Sequence, residues 1–260
     1  MAMVKILLNR LNFHWRRLFT GLSFALFGLG GLFLSVFVFP FVLLIPNRST
    51  RQHISRNIVQ YAFKAFVGFM RFFGVLTYEA HGFERINQKR GLLITPNHPS
   101  LLDVVFLIAF IKQADCIVKA SLFNNPFMFA ALRSAGYIPN LANDAERLIA
   151  QCVERVHNGS NLIIFPEGTR TVIGKSHKLQ RGASNIAIRG GINPTPVLIS
   201  CTPATLSKGE KWYNIPARKV HFTLNVHSLL SIAAYTTQID TIAARLLTEQ
   251  LTRYYDESIS

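Results

Sequence analysis

Apolar and polar positions divide this chain into two unlike regions. Residues 18–47 run for thirty positions without a charged side chain and are rich in Phe and Leu. About 20 apolar residues suffice to cross a bilayer, so the run is long enough to span or to lie within one. A cleavable leader does not fit, because its apolar region covers only ~7–15 residues and ends in an A-x-A site, which is missing here. Both flanks are basic: Arg16 and Arg17 precede the run, and Arg48 and Arg51 follow it. Lys and Arg mark cytoplasmic flanks. A single tilted span would place one basic flank outside. A hairpin that reverses at Gly28–Gly31, or bends at Pro40, keeps both inside and is the favoured expectation. In residues 52–76, Arg56, Gln60, Lys64 and Arg71 share one helical face, and Ile58, Phe63, Phe66, Phe69 and Phe73 fill much of the rest. That pattern predicts an amphipathic helix at the interface, with Phe towards lipid and the cations towards headgroups, and a second edge free to pack on a core.

From residue 75 onward short apolar runs alternate with helical stretches. Strands are predicted at 75–80, 91–95, 115–119, 162–165, 196–200 and 220–226. Helices are predicted at 100–111, 126–134, 143–157, 182–189 and 238–255. The 143–157 helix opens with a capping-box-like Asn143-Asp144-Ala145-Glu146 and stops at Asn158-Gly159. Alternation of this kind implies an α/β domain with a mixed, partly parallel sheet flanked by helices. The boundary falls near residue 75: membrane-anchoring helices over 1–74 and the α/β domain over 75–260.

Charge and composition narrow the partners. The net charge is +15, half of the residues are apolar, Phe supplies 21 and only 16% are charged, below the ~25% usual for soluble domains. No acidic residue precedes Glu79. Such a surface suits nucleic acid or anionic lipid. Basic residues around a long apolar run select the membrane, and no nucleic-acid-binding signature is present. Cys116, Cys152 and Cys201 are scattered and odd in number, which suits a reducing compartment and neither a disulfide framework nor a metal site. The histidines other than His98 lack metal-ligand spacing and read as structural.

Two segments carry chemistry. In the first, the apolar strand at Leu93 runs into a loop containing Asn97, His98 and Pro99, and a helix follows from a Ser100 cap. His98 then sits at a strand's carboxyl end, where α/β sheets hold ligands. Asp103, in the first helical turn, turns back towards His98, orients one ring nitrogen and leaves the other as a general base. Spacing alone also fits a simple Ser100-x-x-Asp103 capping box. In the second segment, the strand at Leu162 ends in Phe165-Pro166-Glu167-Gly168-Thr169-Arg170. Gly168 permits close approach to the backbone, and Arg170 suits a phosphate. An ordinary strand–turn with a surface Arg fits that segment equally.

Together these segments resemble the glycerolipid acyltransferase family of the 1-acyl-glycerol-3-phosphate (lysophospholipid) type. Asn97-His98-x-x-x-x-Asp103 is similar to its N-H-x4-D motif. Phe165–Arg170 is similar to its F-P-E-G-T-R-S motif, with Thr171 where Ser is usual. Lys119-Ala-Ser-Leu-Phe123, Leu179-Gln-Arg-Gly182-Ala183 and Pro194-Thr-Pro196-Val197 resemble softer motifs. The resemblance covers residues 55–230. It implies that His98 deprotonates an acceptor hydroxyl, which attacks an acyl thioester on coenzyme A or acyl carrier protein. It also implies that Asp103 orients His98, that Glu167, Gly168, Thr169 and Arg170 shape the acceptor site, and that no acyl-enzyme, metal or resident cofactor takes part. One departure stands out. Asn140 or Leu141 occupies the position near which the family's second motif places a phosphate-binding Arg. Asn offers no fixed positive charge. Either the acceptor lacks that phosphate, or Lys119 or Arg133 supplies the charge.

The expectation is therefore an O-acyltransferase at the cytoplasmic face of a cell membrane, in a bacterium the inner membrane. Its acceptor is a lysophospholipid such as 1-acyl-glycerol-3-phosphate, or alternatively a phosphate-free lipid such as a lyso-aminolipid or glycolipid. A non-catalytic membrane-binding homologue is the third reading.

Overall fold

A computed structural model describes residues 2–140, 144–171 and 178–259. The apolar run is helical as far as Leu43. Helix α1 (Ala2–Phe33) passes through a π-helical turn (Leu34–Val38) into α2 (Phe39–Leu43). The reversal expected at Gly28–Gly31 does not occur there. A helix satisfies its own backbone groups, and nothing lies within 4 Å of where side chains on Gly28, Gly30 or Gly31 would begin, so no contact forces a break. Pro40 falls in the first turn of α2, where its missing N–H is tolerated. The chain turns instead at residues 44–47. Asn47 Oδ1 accepts from Thr50 N at 3.0 Å, capping α3 (Arg48–Phe72), and Arg51 Nη1 donates to Ile45 O at 2.9 Å. α3 returns antiparallel along α1: Phe27 meets Phe66 (ring centroids 5.2 Å) and Phe19 stacks on Phe73 (4.1 Å). A helical hairpin exists, but its second arm is α3.

The amphipathic reading of α3 is corrected in one respect. Arg56 and Gln60 face the protein and not a headgroup layer; both are buried. Arg56 Nη2 pairs with buried Asp115 at 2.7 Å, and Gln60 Nε2 donates to the carbonyls of Ala109 and Ile111 at 3.3 and 3.1 Å, satisfying the end of a neighbouring helix. The other face of the hairpin stays uncovered, with Leu29, Phe37, Phe41 and Leu44 each more than 60% exposed.

Beyond α3 lie β1 (Leu76–His81), α4 (Phe83–Asn87), β2 (Leu93–Pro96), α5 (Asp103–Phe110), β3 (Ala114–Lys119), α6 (Pro126–Ala135), β4 (Ile138–Asn140), α7 (Ala145–His157), β5 (Asn161–Ile163), α8 (Gly182–Gly190), β6 (Pro194–Thr202), β7 (Val220–Val226) and α9 (Asp240–Ile259). The short elements α4 and β4 are absent from the sequence reading. The first helix after His98 is shorter than expected, beginning at Asp103 and not at Ser100. α7 is capped by Asp144, whose Oδ1 accepts from Arg147 N at 3.2 Å; Asn143 and Leu141 lie outside the described residues.

The strands form one seven-stranded sheet in the order β1-β7-β6-β2-β5-β3-β4. Pairing is parallel except between β6 and β7, which bears out the mixed α/β expectation. Central strands β2 and β5 are buried on both sides, so they read as continuous apolar runs. Neighbouring residues feed opposite layers. Ile94, Ile163 and Ile199 join α3, α5 and α6 in one core, while Leu93, Leu162 and Leu198 join α7, α8 and α9 in the other. Phe39, Val59, Phe66 and Met70 belong to the first of these cores, so packing continues across residue 75. Two prolines in β6 are tolerated because Pro194 and Pro196 face past the end of the β6–β7 ladder, where Leu230 N and His227 N donate to their carbonyls.

Candidate active site

β2, β5, β3 and β4 are consecutive neighbours and all parallel. Their carboxyl ends deliver, in that order, His98, Glu167, Lys119 and Asn140 to one edge of the sheet. That edge is where a parallel α/β sheet opens into a crevice. At a spacing of roughly 4.8 Å per strand, Lys119 lies about 10 Å along the edge from the β2 position. Lys119 and Asn140 are partners in register, and both are exposed.

His98 and Asp103 are joined by a hydrogen bond. His98 Nδ1 lies 2.9 Å from Asp103 Oδ2, and the same oxygen accepts the Ser100 N–H at 2.7 Å. Only half of a capping box forms beside the His–Asp pair: Ser100 Oγ accepts from Leu102 N at 3.4 Å, and the helix starts without a side-chain cap. Because the carboxylate is an acceptor, Nδ1 carries the proton and Nε2 is left with a free lone pair. The ring stacks on Phe165 (centroids 4.1 Å, 25° between planes), which restrains its rotation. Asp103 is fully buried. Burial pushes its carboxyl up to about 6. The hydrogen bond and charge of His98 and the Ser100 N–H oppose that rise, and nearby Glu167 adds to it.

The two loops brace each other. Glu167 Oε1 accepts the His98 N–H at 2.9 Å and its Oε2 accepts from Thr171 Oγ1 at 2.6 Å; Thr171 N donates to His98 O at 2.7 Å. Asn97 clamps the next strand, its amide exchanging bonds of 2.8 and 2.7 Å with the peptide of Ile199. Tyr255, on the terminal helix, donates to Thr95 O. Glu167 therefore acts first on the backbone of His98. Gly168 takes φ +67°, a conformation that favours glycine, and is exposed beside Thr169 at the loop tip.

Arg170 is partly committed. Its Nη1 donates to Leu206 O and Ser207 O at 2.7 and 3.1 Å. Its other guanidinium nitrogens carry no hydrogen bond among the described residues. Segment 203–219 also touches the loop that carries His98: Leu206 O accepts from Leu101 N, and Ser207 Oγ lies 3.5 Å from Pro99 O. The far end of this segment is tied to α1. Buried Arg16 donates to the carbonyls of Pro216, Ala217 and Arg218 at 3.0, 2.6 and 3.1 Å. Sequence reasoning read Arg16 only as a basic flank of the apolar run, whereas it is buried, and assigned no role to Phe165, Thr171 or Tyr255. Phe165 and Thr171 stand within or beside a motif; Arg16 and Tyr255 give no local signal. Arg133 lies on α6 with its guanidinium over the Phe129 ring, 5.5 Å from the centroid.

Residues 77–200 match the family whose model is described as Acyltransferase. The match takes in just under half of the chain. Its curated relatives include the 1-acyl-sn-glycerol-3-phosphate acyltransferase of Pseudomonas aeruginosa, 29% identical over 185 residues (69% of this chain, 65% of that one). The Helicobacter pylori protein of the same name is 34% identical over 134 residues (49% and 56%). The chloroplastic enzyme LPAT1 of Arabidopsis thaliana is 27% identical over 118 residues (44% and 33%). The matches thus span between one third and about two thirds of these relatives. The fold, α/β domain and helical hairpin together, is similar to the crystal structure of the 1-acyl-sn-glycerophosphate (LPA) acyltransferase PlsC from Thermotoga maritima. The TM-score is 0.70 at 20% identity, covering 97% of this chain and 98% of that one.

Proposed function

We propose that this protein is a membrane-associated O-acyltransferase that moves an acyl group from a thioester to the free hydroxyl of a lysophospholipid of the 1-acyl-glycerol-3-phosphate class. The observation that carries the reading is the His98–Asp103 pair, held at the sheet's carboxyl edge with Nε2 free. Asp103 holds the imidazole in the tautomer a base requires. His98 Nε2 takes the acceptor's hydroxyl proton as that oxygen forms its bond to the thioester carbonyl carbon. The carbon–sulfur bond then breaks, and the imidazolium returns the proton to the leaving thiolate. One ester is made, one thioester is consumed, and no acyl-enzyme is needed.

The curated relatives named above support the phosphate-bearing acceptor. Lys119 and the uncommitted nitrogens of Arg170 supply positive charge along the same edge, and the bared face of α1 and α2 seats the domain at a bilayer. The donor thiol belongs to coenzyme A or acyl carrier protein, and the reaction runs at the cytoplasmic face. No resident metal or cofactor has a part in this chemistry.

A second reading rests on two observations. Asn140 carries no charge where an Arg is expected, and Arg170 Nη1 is held by Leu206 and Ser207. Both weaken a phosphate clamp and favour a phosphate-free lysolipid. The test is acyl transfer from labelled acyl-CoA and acyl-ACP to paired lysolipids with and without phosphate, using wild type and His98→Ala. Transfer to the phosphate-bearing acceptor by wild type only supports the first reading. Transfer to the phosphate-free acceptor alone supports the second. Equal transfer by both proteins overturns the role of His98.

A further inference from the structure

A second concavity lies at the opposite, amino edge of the sheet. It has a volume of about 770 Å³ and is lined almost wholly by polar side chains from α3, α7 and the segments preceding β2, β3 and β5. Arg48, Arg56, Lys64, Lys89, Arg90, Lys112 and Arg155 contribute positive charge, while Glu154 is the one carboxylate in the lining. Arg90 precedes β2 and His98 follows it, so the cleft and the catalytic pair are separated by the strand and its flanks, roughly 20 Å. The cleft is not the donor or acceptor site of the reaction proposed above.

Part of this charge has an internal purpose. The amino edge of a parallel sheet receives helix carboxyl ends, whose partial negative charge favours cations. Arg56 Nε donates to Ala135 O at 3.0 Å, and Arg155 donates to Gly136 O. Both guanidinium groups also lie beside buried Asp115, at 2.7 and 3.7 Å, so the floor holds two cations for one carboxylate. The rim is different. Lys89, Arg90, Lys112 and Arg48 are exposed, and none has a carboxylate within ion-pair distance among the described residues. Like charges gathered around a concave, low-dielectric wall focus their field and draw an anion.

The neighbourhood identifies the anion's source. Arg48 and Ser49 on the cleft wall follow directly on the turn after α2, and exposed Phe41 and Leu44 stand on the other side of that turn. Apolar side chains that enter lipid and cations at the adjoining rim are the two halves of an interfacial lipid contact. We infer that this cleft binds the phosphate of an anionic phospholipid headgroup, as a second membrane contact separate from the catalytic edge. Lys89, Arg90 and Lys112 meet the phosphate from the sheet side and Arg48 from the hairpin side.

The experiment compares full-length wild type with Lys89→Gln/Arg90→Gln/Lys112→Gln in flotation with phosphatidylglycerol or phosphatidylcholine vesicles at about 0.1 M salt. A control, Arg147→Gln/Arg245→Gln/Arg253→Gln, removes the same charge from α7 and α9. The cleft variant is expected to bind phosphatidylglycerol vesicles at least about tenfold more weakly, the control within about twofold of wild type, and the exchange Lys89→Arg/Arg90→Lys/Lys112→Arg to restore binding. Thermal midpoints and acyl transfer in detergent should be unchanged. Equal losses in the cleft variant and the control overturn the inference and leave net charge as the cause. If inorganic pyrophosphate binds wild type and not the cleft variant, while vesicle binding is equal, the lipid assignment fails and a free phosphate is the occupant.

Discussion

Replacing Asp103 by Asn separates what this side chain does for the reaction from what it does for the fold. Its carboxyl is buried and titrates near 6, above the value of 3.8 for an unperturbed group. A folded-state pKa raised in this way means the native protein binds the proton more tightly than the unfolded chain. Stability then falls as pH rises from about 4 to about 6, and at neutral pH the ionised carboxylate costs about 3 kcal/mol relative to a neutral group. Asn has nearly the same shape, carries no charge and still offers an oxygen to the Ser100 N–H. Asp103→Asn is therefore expected to unfold later than wild type at pH 7.5, by up to about 3 kcal/mol in denaturant titrations in mild detergent. The advantage should vanish below about pH 4. Activity should move the other way. Asn carries no negative charge to stabilise the imidazolium that forms when His98 takes the proton, so turnover falls by about 10³–10⁴. A variant less stable than wild type at pH 7.5, or stabilised equally at pH 4 and 7.5, would refute the argument from burial. Retention of more than a tenth of wild-type turnover would refute the charge argument.

Three further outcomes follow from other contacts. Arg16→Ala removes a buried guanidinium from three carbonyls of the 216–218 segment and should lower unfolding free energy by about 3 kcal/mol, since hydrogen bonds to charged groups are worth about 1.5–3 kcal/mol each and do not add fully. Arg56→Met leaves Arg155, at 3.7 Å, as the one cation beside Asp115 among the described residues; a loss of about 3–5 kcal/mol is expected at pH 8, shrinking as pH falls and recovered in large part by Arg56→Met/Asp115→Leu in the same melts. Asn140→Arg should lower KM for a phosphate-bearing lysolipid about tenfold with kcat little changed, and initial-rate kinetics against a phosphate-free acceptor should show no such gain.

The His98–Asp103 pair was legible in the chain because it is local. His98 and Asp103 are five residues apart, and a strand that ends, a loop and a helix that begins bring them together with little help from elsewhere. The same holds for the amphipathic stretch of α7, the strand at 220–226 and the apolar run at the start, each a consequence of backbone period and neighbouring side chains. Tertiary structure decided the rest. Arg56 and Gln60 had the pattern of a headgroup-facing stripe, yet they turned inward because Asp115 and the carbonyl ends of α5 and α6, 49 to 79 residues away, needed partners once buried. Gly28–Gly31 had the composition of a turn. A helix that satisfies its own backbone and meets no obstacle has no reason to break there, so the reversal moved to residues 44–47. Arg170 was readable as a phosphate ligand, but its tether to Leu206 and Ser207 was not. Spacing specifies what a side chain can reach within a turn or two; which distant carbonyl or carboxylate it satisfies is settled only when the sheet order places them side by side.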